Sequence, residues 1–326
     1  GLDADFIMLS LLSPLDNIYL ARESDEEIVS VNVDAIKSFL LNHTGKETAI
    51  DDFVIMMMLM GNDFLPHFPM FSDMAESIDD LIDLYAAGDY QLTFENNGRR
   101  YINWDDMKRY LDLIADREDT MLESVSKKKF TYPSRFFQIA NSEGAFNSNK
   151  FRSAWYQNAL GSRGSSALEK SLLRIISSYT PIQSEYDRYG KQVMEPIDTI
   201  STVTLEGIEK MAADYMRIMA WVYLYYREGT SAINQGLAYM YYHTPMMVDL
   251  AAVAQNVGVT FDITGYESFP EMKSFTALHQ LVAVLPLKSK GLLPIELQPL
   301  FDFNSIIQDL LPTSFIIERD GTDKPY

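Results

Sequence analysis

Cysteine is absent from all 326 residues. That excludes a disulfide framework and any thiolate metal site, and it suits a reducing intracellular compartment. Long hydrophobic runs are also missing: no apolar stretch reaches the roughly 18 to 20 residues that a membrane span needs, so the chain reads as soluble. Positive charge is scarce. With 27 Lys and Arg against 46 Asp and Glu, the net charge is -19. Phosphate contacts need cations, so the surface as a whole is excluded as a non-specific nucleic-acid binder. A local basic path, or acidic residues gathered around Mg²⁺, would still allow an acidic protein to handle nucleic acid. The opening "GLDAD" has no initiator Met and no leader, and reads as the edge of a fragment.

What is present is ordinary for a globular protein: 47% hydrophobic and 12% aromatic residues, over a length that suggests about two domains. "ADFIMLSLL" predicts a short apolar helix, "IYLAR" a buried strand, "EIVSVNV" a further strand and "DAIKSFLLNH" an amphipathic helix begun near Asp34. The rhythm is strand, helix, strand, as in an α/β core. Thr44 and Glu47 fit a capping box for the next helix, with Asp51 and Asp52 complementing its dipole and Gly61 ending it. Between them, "FVIMMMLM" is apolar on every face, so this helix should be buried on all sides and hold its C-terminal loop rigidly. "ESIDDLIDLYAAG" is another amphipathic helix. From about residue 91 to 201 the pattern weakens into short helices and loops, which reads as an insertion. "LEGIEKMAADYMRIMAWVYLYYREG" then predicts a long helix closed by Gly229, and "ALHQLVAV" a helix stopped before Pro286.

Asp3 and Asp5 are two residues apart, and on a strand they would share one face. Two converging carboxylates repel unless a cation lies between them, and hard Mg²⁺ or Mn²⁺ is the natural choice. Asp63, in "GNDFLPH" just beyond the helix-ending Gly61, could supply a third oxygen ligand from a rigid element. On spacing alone such aspartates are more often a helix cap or a solvated loop than metal ligands, and His67 fits a backbone hydrogen bond better than a metal.

Longer motifs go further. "GLDADFIMLSLL", "IYLARE", "IDDFVIMMMLMGNDFLPHFP", "MRIMAWVYLYYREG", "YYHTPMMVDL", "HQLVAVLPLKSKGLLP" and "SFIIERDGTDKPY", in that order, resemble the Xrn family of 5′-to-3′ exoribonucleases. The resemblance covers roughly the first ninety residues and the last hundred and twenty. It implies an α/β fold: a partial parallel-sheet core of the PIN or flap-nuclease kind (1–90), the insertion (91–201) and a helical middle segment (202–326). It also implies a Mg²⁺-dependent hydrolase that removes nucleotides from RNA carrying a 5′ monophosphate, in cytoplasm or nucleus. Asp3, Asp5 and Asp63 match aspartates of that family's acidic cluster. Two bound cations could activate water and neutralise the leaving oxygen.

The family's other metal carboxylates and its 5′-phosphate pocket lie upstream of the motif with which this sequence opens. The isolated chain is therefore expected to need an N-terminal half as partner and to show little nuclease activity alone. The segment "SAINQGLAYMYYHTP" carries no Trp where the family usually stacks a terminal base. Tyr239, Tyr241 or Tyr242 could substitute, or could simply be core. Lys288 and Lys290, Lys127 to Lys129 beside Phe130, and Arg99 with Arg100 could track an RNA backbone. Two rivals are a flap-endonuclease-like DNA nuclease and a catalytically dead RNA-binding scaffold.

Overall fold

A computed structural model describes residues 4–24, 27–71, 73–128, 134–160, 203–230, 233, 238–256, 276–302, 304–305, 316–319 and 322–325. They are mainly helical, with three two-stranded antiparallel sheets. Two compact units emerge, one from Gly1–Lys128 with Ile208–Met272 and the other from Lys129–Gly207 with Lys273–Tyr326.

The first unit begins with α1 (Asp5–Leu12), β1 (Tyr19–Ser24), β2 (Glu27–Asn32) and α2 (Val33–Thr44). β1 and β2 pair antiparallel from Tyr19 opposite Asn32 to Ser24 opposite Glu27. Only Asp25 and Glu26 separate them, and a parallel partner needs a crossover of about a dozen residues or more. The expected helix, strand, strand and helix thus occur in that order, the strands forming an antiparallel hairpin, and no parallel pair occurs among the described strands; the strand expected at the opening "GLDAD" falls mainly outside the described residues. Nor is "IYLAR" buried, since Tyr19 and Ala21 are exposed. Asn32 starts α2 by accepting the Ala35 amide at 3.2 Å. Gly45, at φ +66°, ends it. That turn also removes the expected capping box: Thr44 is the last residue of α2, its hydroxyl donating to the Leu40 carbonyl at 2.8 Å, and the next helix starts after Thr48.

That next helix, α3 (Ala49–Met58), is the centre of the unit. Every residue from Phe53 to Met60 is buried, as an all-round apolar helix requires. Around it lie α4 (Met74–Ala87), capped by Asp73, the hairpin of β3 (Thr93–Asn96) and β4 (Arg99–Ile102), then α5 (Trp104–Ala115) and α6 (Glu118–Lys127). Tyr110 of α5 donates to the Leu81 carbonyl of α4 at 2.8 Å and lies 3.1 Å from the Met56 sulfur of α3, tying three helices at one hydroxyl.

Asp51 and Asp52 lie in the first turn of α3, as expected of acids that complement its dipole, but both are buried. Asp52 is fully buried and accepts from the Thr48 hydroxyl (2.7 Å), the Tyr85 hydroxyl (2.5 Å), the Leu92 amide (3.0 Å) and the Thr93 hydroxyl (2.6 Å). Burial pushes its carboxyl above the ordinary range, and the four donors pull it part of the way back. Beside it, Lys46 donates to the Tyr85 and Gly88 carbonyls at 2.6 and 2.7 Å, closing the C-terminus of α4.

The long helix α9 (Leu205–Glu228), which follows α7 (Arg135–Ala140) and α8 (Ser148–Leu160) in the chain, brings Asp51 its partners. Tyr223 donates to Asp51 at 2.7 Å, the Arg227 guanidinium stands 2.9 Å away, and Arg100 of β4 is 3.6 Å from the second oxygen. Then α10 (Met247–Asn256) packs on α5. Its first amides, Met247 and Val248, donate to the buried Glu118 carboxylate at 2.5 and 3.2 Å, so an acid from α6 caps a helix far along the chain. In the second unit, α7 (Arg135–Ala140) and α8 (Ser148–Leu160) share a core of Phe136, Phe137, Phe151 and Trp155. α11 (Ala277–Val284) stops ahead of Pro286, two short 3-10 turns follow, and β5 (Ile316–Arg319) pairs with β6 (Thr322–Pro325).

Removing the Asp52 carboxylate strands four buried donors. Asp52→Ala is therefore expected to destabilise the first unit by about 3 kcal/mol or more in urea unfolding. A second outcome concerns pH. Because the folded carboxyl binds its proton more tightly than the unfolded one, its stabilising contribution is full below the ordinary carboxylate value and is lost as pH rises through the folded value. Measured against Asp52→Asn, the wild-type advantage should shrink over that window and level off above it.

Candidate functional site

The "GNDFLPH" loop is built by the end of α3. Gly61 takes φ +87°, and a Cβ there would lie 2.8 Å from the His67 amide nitrogen, so only glycine lets the two ends of the loop close. Asn62 then folds the chain over itself. Its side-chain oxygen accepts from the Phe64 and Leu65 amides at 2.8 and 3.0 Å, while its own amide donates to the Leu65 carbonyl at 2.9 Å. Asp63 is left at the tip, exposed to solvent.

Core contacts on both sides fix this tip. The Phe64 ring meets Trp221 and Tyr225 of α9 edge-on, with centroids 5.1 and 5.6 Å apart. Tyr215, wholly buried with its hydroxyl pushed well above the ordinary range by desolvation, donates to the Met58 carbonyl at 3.2 Å and the Pro66 carbonyl at 3.4 Å. The expectation of a loop held by rigid core thus agrees with the geometry. One aspartate is aimed outward while its neighbours are clamped.

Asp5 occupies the first turn of α1, half-buried, and α1 packs on α2 and α3. The Ile7 and Met8 amides both approach the Ala4 carbonyl, so the backbone at Asp5 is helical and the shared strand face does not extend to it. Asp3 lies outside the described residues. As donors, Asp5 and Asp63 have the hard oxygen chemistry that Mg²⁺ or Mn²⁺ takes. Among the described residues, no three acidic or histidine side chains gather as a cation site. Asp51 and Asp52, the most buried acidic pair of α3, do not fit one: their oxygens are already occupied by tyrosine, threonine, amide and guanidinium donors.

The tyrosines form one cluster beside α9. Tyr239 donates to the His243 carbonyl at 2.9 Å and meets Tyr215 edge-on at 5.5 Å. Tyr241 packs 5.1 Å from Tyr239, its hydroxyl 3.5 Å from Asp214 and its ring 5.9 Å from the Lys210 ammonium. Burial raises its hydroxyl above the ordinary tyrosine value. Tyr242 differs, since 87% of it is exposed and its ring faces solvent. In the second unit Lys290 pairs with Asp302 at 2.8 Å, and Lys288 is exposed on the same 3-10 turn.

The other basic runs have internal partners. Arg99 pairs with Glu228 at 2.7 Å, Arg100 reaches Asp51 and Glu95, Lys127 pairs with Glu123 at 2.7 Å, and Lys128 lies 3.5 Å from Asp73 and Glu76. Lys129 and Phe130 fall outside the described residues. Sequence reasoning missed Asp51, Asp52 and Glu118 as organising acids. The one local signal was an Asp pair opening an otherwise all-apolar helix.

Comparison with known proteins places this architecture. The family model described as the Xrn1 helical domain matches residues 43–173 and 183–326, and the chain belongs to that family. Among individual proteins, it is similar to human 5′-3′ exoribonuclease 1, with 23% identity over 371 aligned positions that cover the whole chain and 21% of the human protein. A Drosophila melanogaster 5′-3′ exoribonuclease 2 homolog shares 23% identity over 84% of the chain and 32% of its own length. Fission yeast (Schizosaccharomyces pombe) 5′-3′ exoribonuclease 2 is 31% identical over 41% of the chain and 12% of its own length. The chain thus spans a fifth to a third of the first two relatives. No helix among the described residues is long and apolar enough to cross a membrane.

The clamp and the tip should separate in stability measurements. Gly61→Ala, forced into a left-handed conformation and against His67, is expected to cost about 1 to 3 kcal/mol. Asp63→Ala, at an exposed position, should stay within about 0.5 kcal/mol of wild type.

Proposed function

We propose that this chain is a segment of a Mg²⁺-dependent 5′-to-3′ exoribonuclease that hydrolyses RNA bearing a 5′ monophosphate to nucleoside monophosphates. The observation that carries this reading is the exposed Asp63, held at the tip of a clamped loop in a chain of the Xrn1 helical-domain family. Similarity to proteins named 5′-3′ exoribonucleases supports the reaction class. In this reading Asp3, Asp5 and Asp63 contribute carboxylate oxygens to the metal site, and further ligands come from other parts of a longer polypeptide. A bound divalent cation would supply an activated water and neutralise the leaving oxygen. The chain's own part is to present these aspartates from an ordered backbone, which the Asn62 turn and the Tyr215 clamp support for the loop that carries Asp63.

Other elements follow from the same reading. Residues 1–90 would belong to a nuclease core of the PIN or flap-nuclease kind, in an enzyme of cytoplasm or nucleus. Tyr242 offers an open ring on which a base can stack, and Lys288 an exposed ammonium for a phosphate.

The test uses the longer natural polypeptide that contains these 326 residues. With Mg²⁺ it should degrade 5′-phosphorylated RNA from the 5′ end, and Asp63→Ala should abolish this while leaving unfolding unchanged. The present chain alone should show little activity. Tyr242→Ala should weaken RNA binding by about 1 to 3 kcal/mol. A preference for branched DNA would move the reading to a flap-type nuclease, and RNA binding without Mg²⁺-dependent turnover would leave only a scaffold.

A further inference from the structure

The β3–β4 hairpin turns on two residues. Asn96 pairs with Arg99, which leaves Asn97 and Gly98 as the loop, and both take left-handed backbone, at φ +52° and +79°. This is the type I′ turn, which suits the right-handed twist of the strands and selects Asn-Gly. Both residues are exposed, and a Cβ at Gly98 would meet no atom within 4 Å, so nothing crowds the peptide nitrogen that joins them. No other Asn in the sequence precedes a glycine.

Much of the polar core of the first unit depends on the register that this turn sets. Thr93 of β3 donates to Asp52 at 2.6 Å, while β4 sends Arg99 to Glu228 at 2.7 Å and Arg100 towards Asp51 at 3.6 Å. Each strand has only four residues, and two strands alone are at best marginally stable in water. The buried acids therefore hold the hairpin as much as the ladder does.

We propose that Asn97 is a site of spontaneous deamidation, slowed by the folded hairpin, and that its isoaspartyl product breaks the register between β3 and β4. The Gly98 amide gives its proton to hydroxide and its nitrogen attacks Cγ of Asn97. The N–Cγ bond forms, the bond from Cγ to Nδ2 breaks, and ammonia leaves with a proton taken from water. Water then opens the five-membered imide. Attack at Cγ gives aspartate, whereas attack at the main-chain carbonyl of residue 97 gives isoaspartate, in which the chain runs through Cβ and Cγ. The net reaction consumes one water and releases one ammonia, with no oxidation or reduction.

Glycine at 98 favours the attack because it places no side chain beside the nucleophile. The turn itself opposes it. Ring closure brings Cβ, Cα, the carbonyl carbon and the Gly98 nitrogen nearly into one plane, which a type I′ turn does not allow, so reaction waits on local opening. Once isoaspartate has formed, an extra main-chain carbon and a new carboxylate occupy a turn whose register requires two ordinary residues. This chemistry is independent of any nuclease activity.

Peptide mapping by mass spectrometry, with fragmentation that separates isoaspartate from aspartate, tests the proposal after incubation of the 326-residue chain in mildly alkaline buffer. Residue 97 should change before any other asparagine, with isoaspartate exceeding aspartate, and about tenfold faster for each unit of pH, as the deprotonated fraction of an amide scales. A free peptide of residues 93–102 should react at least about tenfold faster than the folded chain. Asn97→Gln, which would have to close a larger ring, should abolish the change. In the isoaspartyl fraction, separated by its added negative charge, hydrogen exchange over residues 93–102 should accelerate at least about tenfold, whereas Asn97→Asp, which keeps the ordinary backbone, should exchange like wild type. An Asn97 that stays intact, or that changes only after Asn141 or Asn147, would overturn the site. Equal rates in peptide and folded chain would overturn the protection by the hairpin, and unchanged exchange in the isoaspartyl fraction would overturn the loss of register.

Discussion

Two adjacent carboxylates at the start of a helix that is otherwise apolar on every side set the architecture of the first unit. Burying an ion without partners is prohibitive, so Asp51 and Asp52 each dictate what must surround them. Asp52 draws in α4 through Tyr85, and the entry to the β3–β4 hairpin through Leu92 and Thr93. Asp51 draws in β4 through Arg100 and the long helix through Tyr223 and Arg227. Apolar packing alone would allow these elements to slide. Hydrogen bonds of 2.5 to 3.0 Å to one carboxylate do not.

The loop that carries Asp63 inherits this order. α3 is anchored at its first turn by the acids and at its last turn by Tyr215, whose partner carbonyls belong to Met58 and Pro66 on either side of the loop. The same long helix that partners Asp51 supplies Trp221 and Tyr225 to hold Phe64. One helix thus links the buried acid pair to the exposed aspartate. Precision at the tip is a property of the whole unit.

Much of this was legible in the sequence where the signal is local. All-round hydrophobicity marked α3 as central, Gly229 marked the end of α9, and Gly61 marked the left-handed turn two residues beyond the cap of α3. What was illegible depended on distant residues. An Asp pair at a helix start reads as dipole complement until Leu92 and Thr93, forty residues on, are seen to close over it. Arg99 and Arg100 read as candidate phosphate contacts because nothing nearby announces Glu228 or Asp51 as partners. "IYLAR" and "EIVSVNV" have the composition of covered strands, and the pairing between them is antiparallel because two residues cannot make a crossover. At the site, the position of Asp63 after the helix was readable from Gly61, whereas the Asn62 turn that presents it was not.

The pairing of so many scarce cations with carboxylates bears on how a polyanionic strand would meet this surface. Arg99, Arg100, Arg227, Lys127, Lys128 and Lys290 are committed to acids of the chain, in a protein that already carries a net charge of -19. Long-range attraction is thereby forgone, and the field at a distance is repulsive to phosphate. Encounter rates with such a strand would then increase with ionic strength, the reverse of a basic nucleic-acid binder, and recognition would be decided by contacts made at close range.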